Sequence, residues 1–424
     1  MKHYPRRDVL AALAAVALTP MGARSAMTQR SAGRLVIVGG GFAGATLARY
    51  AKSLAPDLSV TLIEAKKSYL ACPMSNLVIA GQRELDEQRF SYQPRGFAGV
   101  NVVHGMAQDV DAANRTVTLA DGSRVSYDRL VLAPGVALKL DALPGYSEQG
   151  AKHMPHAWQA GEQTLLLRRQ LQAMPEDGLV VISVPPAPYR CPPGPYERAS
   201  LMASYCQQAK PKAQILILDS NDRFSKQALF QQGWRRRYGD RVRWQSGSND
   251  GRVIRVEPKA MQLHTDFETY RPDVANVIPP QQAGLIAHRA GVADRTGWCP
   301  VDSVTFESTL QPNIHVVGDA AIAAPMPKSA FAANAQAKVC AIALVRLFRG
   351  LTPLPTTLAN TCYSYLAPGH AISVSGAYHT QGGGFTSIAE ASGTSPLESP
   401  EGLAAREASH AMDWFRAITE ETFG

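Results

Sequence analysis

The chain has 424 residues, 45% of them apolar and 18% charged, which allows two or three packed domains and excludes bulk disorder. Its 43 Lys and Arg against 35 Asp and Glu leave a net charge of +8. The basic residues are scattered except at Arg235–Arg237, which reads as a solvated helix face, so no nucleic-acid partner is expected. Six cysteines with no C-x-x-C pair and no zinc-ligand spacing exclude a disulfide scaffold, and no metal site is expected.

The N-terminus has the layout of an export signal over residues 1–26. Arg6 and Arg7 precede the apolar run Val9–Leu18, and small residues follow at Ala23–Ala26. The paired arginines resemble a twin-arginine signal, although Asp8 follows them. The apolar run is too short for a permanent anchor, and no other stretch reaches 18 apolar residues. A mature chain starting near residue 27, in the periplasm and without a stable membrane anchor, is expected.

Residues 27–150 open with a dinucleotide-binding pattern. Arg34–Val38 suits a buried strand, and Gly39, Gly41 and Gly44 then supply G-x-G-x-x-G. Ala45–Leu54 reads as a helix and Val60–Ile63 as a second strand, with Glu64 lying 20 residues after Gly44. Gly39 permits the tight turn, Gly41 lets backbone approach a pyrophosphate, and Gly44 lets helix and strand pack closely. Glu64 stands where an acid accepts ribose hydroxyls. Cys72 follows in a loop within reach of this unit. Strand character returns at Val100–Val103, Thr116–Leu119 and Ser126–Leu132, with Asp121-Gly122 as a hairpin turn. The stretch ending at Gly135 looks like the segment that returns to the dinucleotide in two-dinucleotide flavoproteins.

Residues 151–270 repeat the domain type. A helix is expected over 155–178, then a strand at Leu179–Val184, a helix at Arg198–Gln208 and a strand at Gln214–Leu218. The turn between the first strand and the second helix reads PPAPYRCPPGPYERAS. Proline has no N–H, so this loop cannot cradle a second pyrophosphate, and NAD(P) is not an expected cofactor. Cys191 occupies the turn instead. Over 271–352 the strand Ile314–Val317 runs into Gly318-Asp319, where Asp319 can be aimed at a ribityl or phosphate group. The helix Ser329–Phe348 follows, and with Lys328 it is expected to stabilise negative charge on a reduced isoalloxazine. Residues 353–424 are richer in Ser, Thr, Pro and Gly, hold Cys362, and close with an amphipathic helix over Ala404–Thr422. The expected fold is α/β, with two Rossmann-like dinucleotide-binding domains (glutathione-reductase-like) and a C-terminal α+β interface domain.

One phosphate cradle, a Gly-Asp return strand and no NAD turn imply bound FAD reduced by something other than nicotinamide. YLACPMSN around Cys72, YRCPPGPYERAS around Cys191 and NTCYSYLAP around Cys362 resemble the flavoprotein subunit of flavocytochrome c sulfide dehydrogenase. MPHAWQAGEQT, VIPPQQAG, GWCPVD, GDAAIAAPMPKS and the tail WFRAITEETFG carry the same likeness across essentially the whole mature chain. The resemblance implies FAD joined covalently to Cys72 and a redox-active disulfide between Cys191 and Cys362. It also places Glu197 beside that disulfide and Trp414 near the flavin. Departures are Gly369-His370, and Pro73-Met74 after Cys72. Cys206, Cys299 and Cys340 read as packing residues. The implied activity is oxidation of sulfide to sulfane sulfur, with electrons passed to a c-type cytochrome subunit, because this chain has no C-x-x-C-H for a haem of its own. The alternatives are a sulfide:quinone reductase, and a flavoprotein thiol-redox accessory of a sulfur-oxidation complex.

Overall fold

A computed structural model describes residues 33–381 and 383–424. The expected export signal lies outside the described residues. In chain order, β1 (Arg34–Val38), α1 (Phe42–Leu54) and β2 (Ser59–Glu64) form the first strand–helix–strand unit, followed by β3 (Val100–His104) and β4 (Arg129–Leu132). Then come α2 (Glu162–Ala173), β5 (Leu179–Val184), α3 (Gly194–Ala209), β6 (Gln214–Asp219), α4 (Gln227–Tyr238), β7 (Val242–Gln245) and β8 (Val274–Val277). The chain ends with β9 (Ile314–Val316), α5 (Ala330–Phe348), β10 (Thr357–Ala367), β11 (His370–Gln381), β12 (Gly384–Thr394) and α6 (Leu403–Phe423).

Two parallel sheets carry the fold. The first has the order β9-β4-β1-β2-β3, and the second β7-β6-β5-β8. Leu35, Val36 and Ile37 of β1 are buried on both faces, as a central parallel strand requires, and Val36 stands between Thr61 of β2 and Leu130 of β4. The second sheet is built within the excursion between β4 and β9, so the first sheet is completed only when the chain returns. Its loops therefore come from distant parts of the sequence and converge at the carboxyl ends of the strands, where open α/β sheets hold ligands. β10, β11 and β12 form an antiparallel sheet on which α6 packs. α5 is long and apolar enough to cross a membrane by length and composition, but half of it is buried, packed against α1 and β10.

Several elements differ from expectation for local reasons. The helix expected over 155–178 is confined to α2, because Gly161 at φ 141° breaks the helical path before it and Pro175 lies just beyond it. Trp158 consequently lies in a loop. The single strand expected over Ser126–Leu132 is two strands in different sheets, parted where Asp128 accepts the backbone N–H of Arg34 at 2.7 Å. α3 begins at Gly194, before the expected Arg198, with Pro195 tolerated in its first turn, and so it takes Glu197 into that turn. The Ser- and Gly-rich segment after 353 contains three long strands. Arg235, Arg236 and Arg237 are exposed in the last turn of α4, where positive charge suits a helix C-terminus.

Candidate active site

The first glycine turn shows why each glycine is needed. A Cβ on Gly39, which sits at φ 100°, would lie 2.4 Å from the Ala133 carbonyl. One on Gly44 would lie 1.8 Å from the Gly39 carbonyl, so Gly44 is what lets α1 approach β1. Gly41 meets only the Tyr69 ring, at 3.4 Å or more, and leaves the N-terminus of α1 open. Glu64 ends β2 and accepts the Gly40 N–H at 2.7 Å and the Lys66 N–H at 2.9 Å. These bonds fix its carboxylate beside the turn.

A cavity of about 390 Å³ runs from this turn past Cys72 to the second domain. It is bordered by Gly39, Gly41, Glu64, Cys72, Gly135, Cys191, Glu197, Asp319, Cys362 and Trp414. A second cavity of about 900 Å³ shares Gly39, Glu64, Lys66, Pro134, Val136 and Gln159 with it, giving room for a long dinucleotide. Asp319 Oδ1 is buried with no hydrogen-bond partner among the described residues. Burial pushes the Asp319 carboxyl up, partly offset by Arg190 and Lys328. An orphaned buried oxygen facing a glycine-turn cavity fits a ligand bearing hydroxyl donors. The cradle, Glu64 and Asp319 together fit FAD.

Cys72 is held by its neighbours. Buried Gln88 donates from Nε2 to the Ala71 carbonyl at 3.1 Å and to the Pro73 carbonyl, pinning the loop on both sides of the cysteine. Trp414 of α6 stacks at 9° on Phe331 of α5, which brings the C-terminal helix to the same cavity.

Cys191 lies at φ 57°, a left-handed conformation that costs a non-glycine residue about 1–2 kcal/mol. Its N–H donates to the Lys328 carbonyl at 2.8 Å. Its thiol opens onto the cavity, yet the surrounding protein pushes it up to about 12, burial first and then the Glu197 and Cys362 charges. Glu197 accepts Asn76 Nδ2–H at 2.7 Å and the Tyr365 N–H at 2.8 Å, and burial still raises its carboxyl. Cys362 projects from β10, and Asn360 Nδ2 donates to its Sγ at 3.3 Å. All six cysteines are free thiols, and Cys206, Cys299 and Cys340 are fully buried.

Lys328 is placed differently from expectation. Its ammonium donates to the Asp319 and Ala321 carbonyls at 2.6 and 3.0 Å and sits 3.8 Å over the Trp298 ring, so its N–H groups are spent on its own loop. It does not border the cavity; the cations that do are Lys66, Arg190 and Arg198, of which Arg190 adjoins Cys191. Sequence reasoning missed Arg190, Arg198 and Lys226. Buried Arg198 binds Asn76 Oδ1 at 3.0 Å, Asn276 Oδ1 at 2.7 Å and the Ala157 carbonyl at 2.7 Å. It thereby fixes both the Trp158 loop and the asparagine that holds Glu197. The one signal in the sequence was the position of Arg190 and Arg198 inside the cysteine-bearing turn segment.

The second domain lacks the first one's open acid. Asp219 ends β6 as Glu64 ends β2, but its carboxylate accepts the Tyr196 hydroxyl at 2.5 Å, Trp244 Nε1–H at 2.9 Å, and the N–H and Nδ2–H of Asn221 at 2.9 and 2.8 Å. Tyr196 also stacks on Phe224 at 3.7 Å between ring centres.

Comparison with known proteins agrees with this geometry. Residues 33–182 match the family described as pyridine nucleotide-disulphide oxidoreductase. Residues 164–279 match the central part of the sulfide dehydrogenase (flavocytochrome c) flavoprotein chain, and residues 355–423 the flavocytochrome c sulphide dehydrogenase flavin-binding family. The mitochondrial sulfide:quinone oxidoreductase of Mus musculus is 24% identical over 345 residues, 76% of this chain and 72% of that one. A sulfide dehydrogenase (flavocytochrome c) flavoprotein chain from Chlorobaculum thiosulfatiphilum is 53% identical over 45 residues, 11% of this chain and 94% of that one. The solved sulfide:quinone oxidoreductase of Aquifex aeolicus superposes with a TM-score of 0.71 at 18% identity, covering 92% of this chain and 91% of that one. With its glycine turn, its orphaned aspartate and these matches, the chain belongs to the sulfide-oxidising FAD flavoproteins built on the pyridine nucleotide-disulphide oxidoreductase fold.

Proposed function

We propose that this chain is the flavoprotein subunit of a flavocytochrome c type sulfide dehydrogenase. The observation that carries the reading is that Cys191 and Cys362, 171 residues apart in sequence, border one cavity with Glu197 where a nicotinamide turn would otherwise lie. In the working state the two cysteines form a disulfide. Hydrosulfide attacks one sulfur, leaving a persulfide on that cysteine and a thiolate on the other. FAD, when bound, supplies the acceptor for the resulting electron pair. Gly39, Gly41 and Gly44 would shape its cradle, Glu64 and Asp319 would hold its hydroxyls, and Cys72 would be its covalent attachment point. Glu197, whose carboxyl burial raises, borders the same cavity as the two sulfurs. NAD(P) has no place in the cycle, since proline fills the second turn and Asp219 is spent on Tyr196, Trp244 and Asn221.

The one-electron acceptor is a c-type cytochrome subunit in the periplasm, reached after export of the chain and without a stable membrane anchor. This choice is supported by the two flavocytochrome c families matched over the central and C-terminal parts. The second reading is a sulfide:quinone reductase, favoured by the likeness to the Mus musculus enzyme over 76% of the chain. Sulfide-dependent reduction of a c-type cytochrome, measured against reduction of a short-chain quinone, separates them. The proposal predicts rapid cytochrome reduction and slow quinone reduction; the reverse order rejects the cytochrome acceptor while leaving sulfide oxidation intact.

A further inference from the structure

Lys226 is 8% exposed, and its ammonium donates to two neutral oxygens, the Cys362 carbonyl at 2.9 Å and Ser364 Oγ at 2.8 Å. No ion pair among the described residues includes it. A buried ammonium without a fixed counter-ion is costly, and burial lowers Lys226 to about 8. The groups that favour its charge are Cys362 first, then Glu197, Cys191 and Glu407, with the Phe230 ring 5.9 Å away. The two active cysteines therefore stand in unlike surroundings. Cys362 has Lys226 beside it and the Asn360 amide aimed at its sulfur, an orientation set by Ser329, whose hydroxyl donates to Asn360 Oδ1 at 2.6 Å. Cys191 has the Glu197 carboxyl as its first charged neighbour, with Arg190 and then Lys226 acting in the opposite sense, and Glu197 also offsets the positive N-terminal end of α3.

We propose that Lys226 is the counter-cation for the charge released on Cys362, so that hydrosulfide attacks the sulfur of Cys191. This rests on the sulfide-oxidising disulfide read above and adds its direction. In the step, the bond between the Cys191 and Cys362 sulfurs breaks and a bond forms between the hydrosulfide sulfur and Cys191 Sγ. The hydrosulfide proton stays on the terminal sulfur of the new persulfide. The electron pair of the broken bond remains on Cys362 as thiolate, beside the Lys226 ammonium. Sulfide is oxidised to sulfane sulfur and the disulfide is reduced. Lys226 is a positioning residue for charge and makes no bond to the substrate.

The test uses the FAD-loaded protein, mixed anaerobically with less than one equivalent of sulfide, quenched by an alkylating reagent and mapped by peptide mass. The expected result is the mass of one added sulfur on the Cys191 peptide and a singly alkylated Cys362. Lys226→Met is expected to slow flavin bleaching about 10²-fold, the scale of losing one preorganised charge-stabilising donor, and to spread the added sulfur over both peptides. Lys226→Arg, which keeps a permanent positive charge, is expected to restore the Cys191 location. Added sulfur on Cys362 in the unaltered protein overturns the inference, as does wild-type bleaching by Lys226→Met. Added sulfur on neither cysteine overturns the disulfide reading itself, which distinguishes the two failures. If Lys226→Met does not retain flavin, the location of sulfur in the unaltered protein decides alone.

Discussion

The Tyr196 hydroxyl donates a 2.5 Å hydrogen bond to Asp219, so the acid that ends the second domain's central strand is bound by the protein's own side chain. Among the described residues, Glu64, the corresponding acid of the first domain, is bound by the backbone N–H groups of Gly40 and Lys66, and it borders both cavities. Anaerobic NADH is therefore expected to leave the flavin absorbance unchanged over minutes. Bleaching within seconds would show that the proline turn still admits a nicotinamide. Tyr196→Phe is expected to cost about 1–2 kcal/mol, since it leaves part of a buried carboxylate unpaired, and to confer no NADH reactivity.

Cys72 is predicted to hold the flavin covalently. After denaturation in acid, the flavin absorbance should remain with the protein and map to the Cys72 peptide, whereas Cys72→Ser should release free FAD. Gln88→Ala, which frees the loop on both sides of Cys72, should lower the attached fraction without changing the fold. Free FAD released from the unaltered protein would reject the attachment.

Gly44→Ala places a methyl group 1.8 Å from the Gly39 carbonyl. Backbone must move, and a loss of about 3 kcal/mol is expected, at the upper end for overpacking. Bound flavin should fall with it, because the displaced atom belongs to the cradle. A thermal midpoint and flavin content equal to those of the unaltered protein would contradict this account of the turn.

The glycine turn was legible because everything that defines it is local: three glycines, two strands and an acid within one unit. The βαβ shape of the second domain was legible from the apolar runs at Leu179–Val184 and Gln214–Leu218. The cysteines were singled out by position and family likeness, and their meeting in one cavity depends on the return of β10, which no spacing encodes. Lys226, Arg190 and Arg198 were invisible because their roles arise from tertiary burial, and a lysine before an amphipathic helix reads as solvent-exposed. Lys328 was misplaced for the converse reason: its position at the start of α5 suggested a ligand contact, while the carbonyls of Asp319 and Ala321 capture it first. The three strands after residue 353 were hidden by Ser, Thr and Gly, which suit an antiparallel sheet exposed on one face as well as they suit a loop.

His156 supplies a pH prediction. Its Nδ1 accepts the Trp158 N–H at 3.0 Å, and burial, aided by Arg198 and Arg190, lowers it to about 4 from 6.5. Below pH 6.5 the unfolded chain takes up a proton that the folded chain refuses until about pH 4. Stability should therefore fall across that window, by about 3 kcal/mol from this residue. Denaturant titrations of His156→Gln from pH 7 to 4 should show a flatter decline. An equally steep decline would assign the acid sensitivity elsewhere.

Electrons from sulfide are predicted to enter through Cys191 and Cys362. Stopped-flow mixing of the FAD-loaded protein with sulfide under argon, followed at the flavin absorbance, tests it most directly. Bleaching of the unaltered protein within seconds is expected, with a loss of at least about 10³-fold in Cys191→Ser and in Cys362→Ser, the scale seen when one member of a group acting as a unit is removed. Wild-type bleaching in either variant would contradict it.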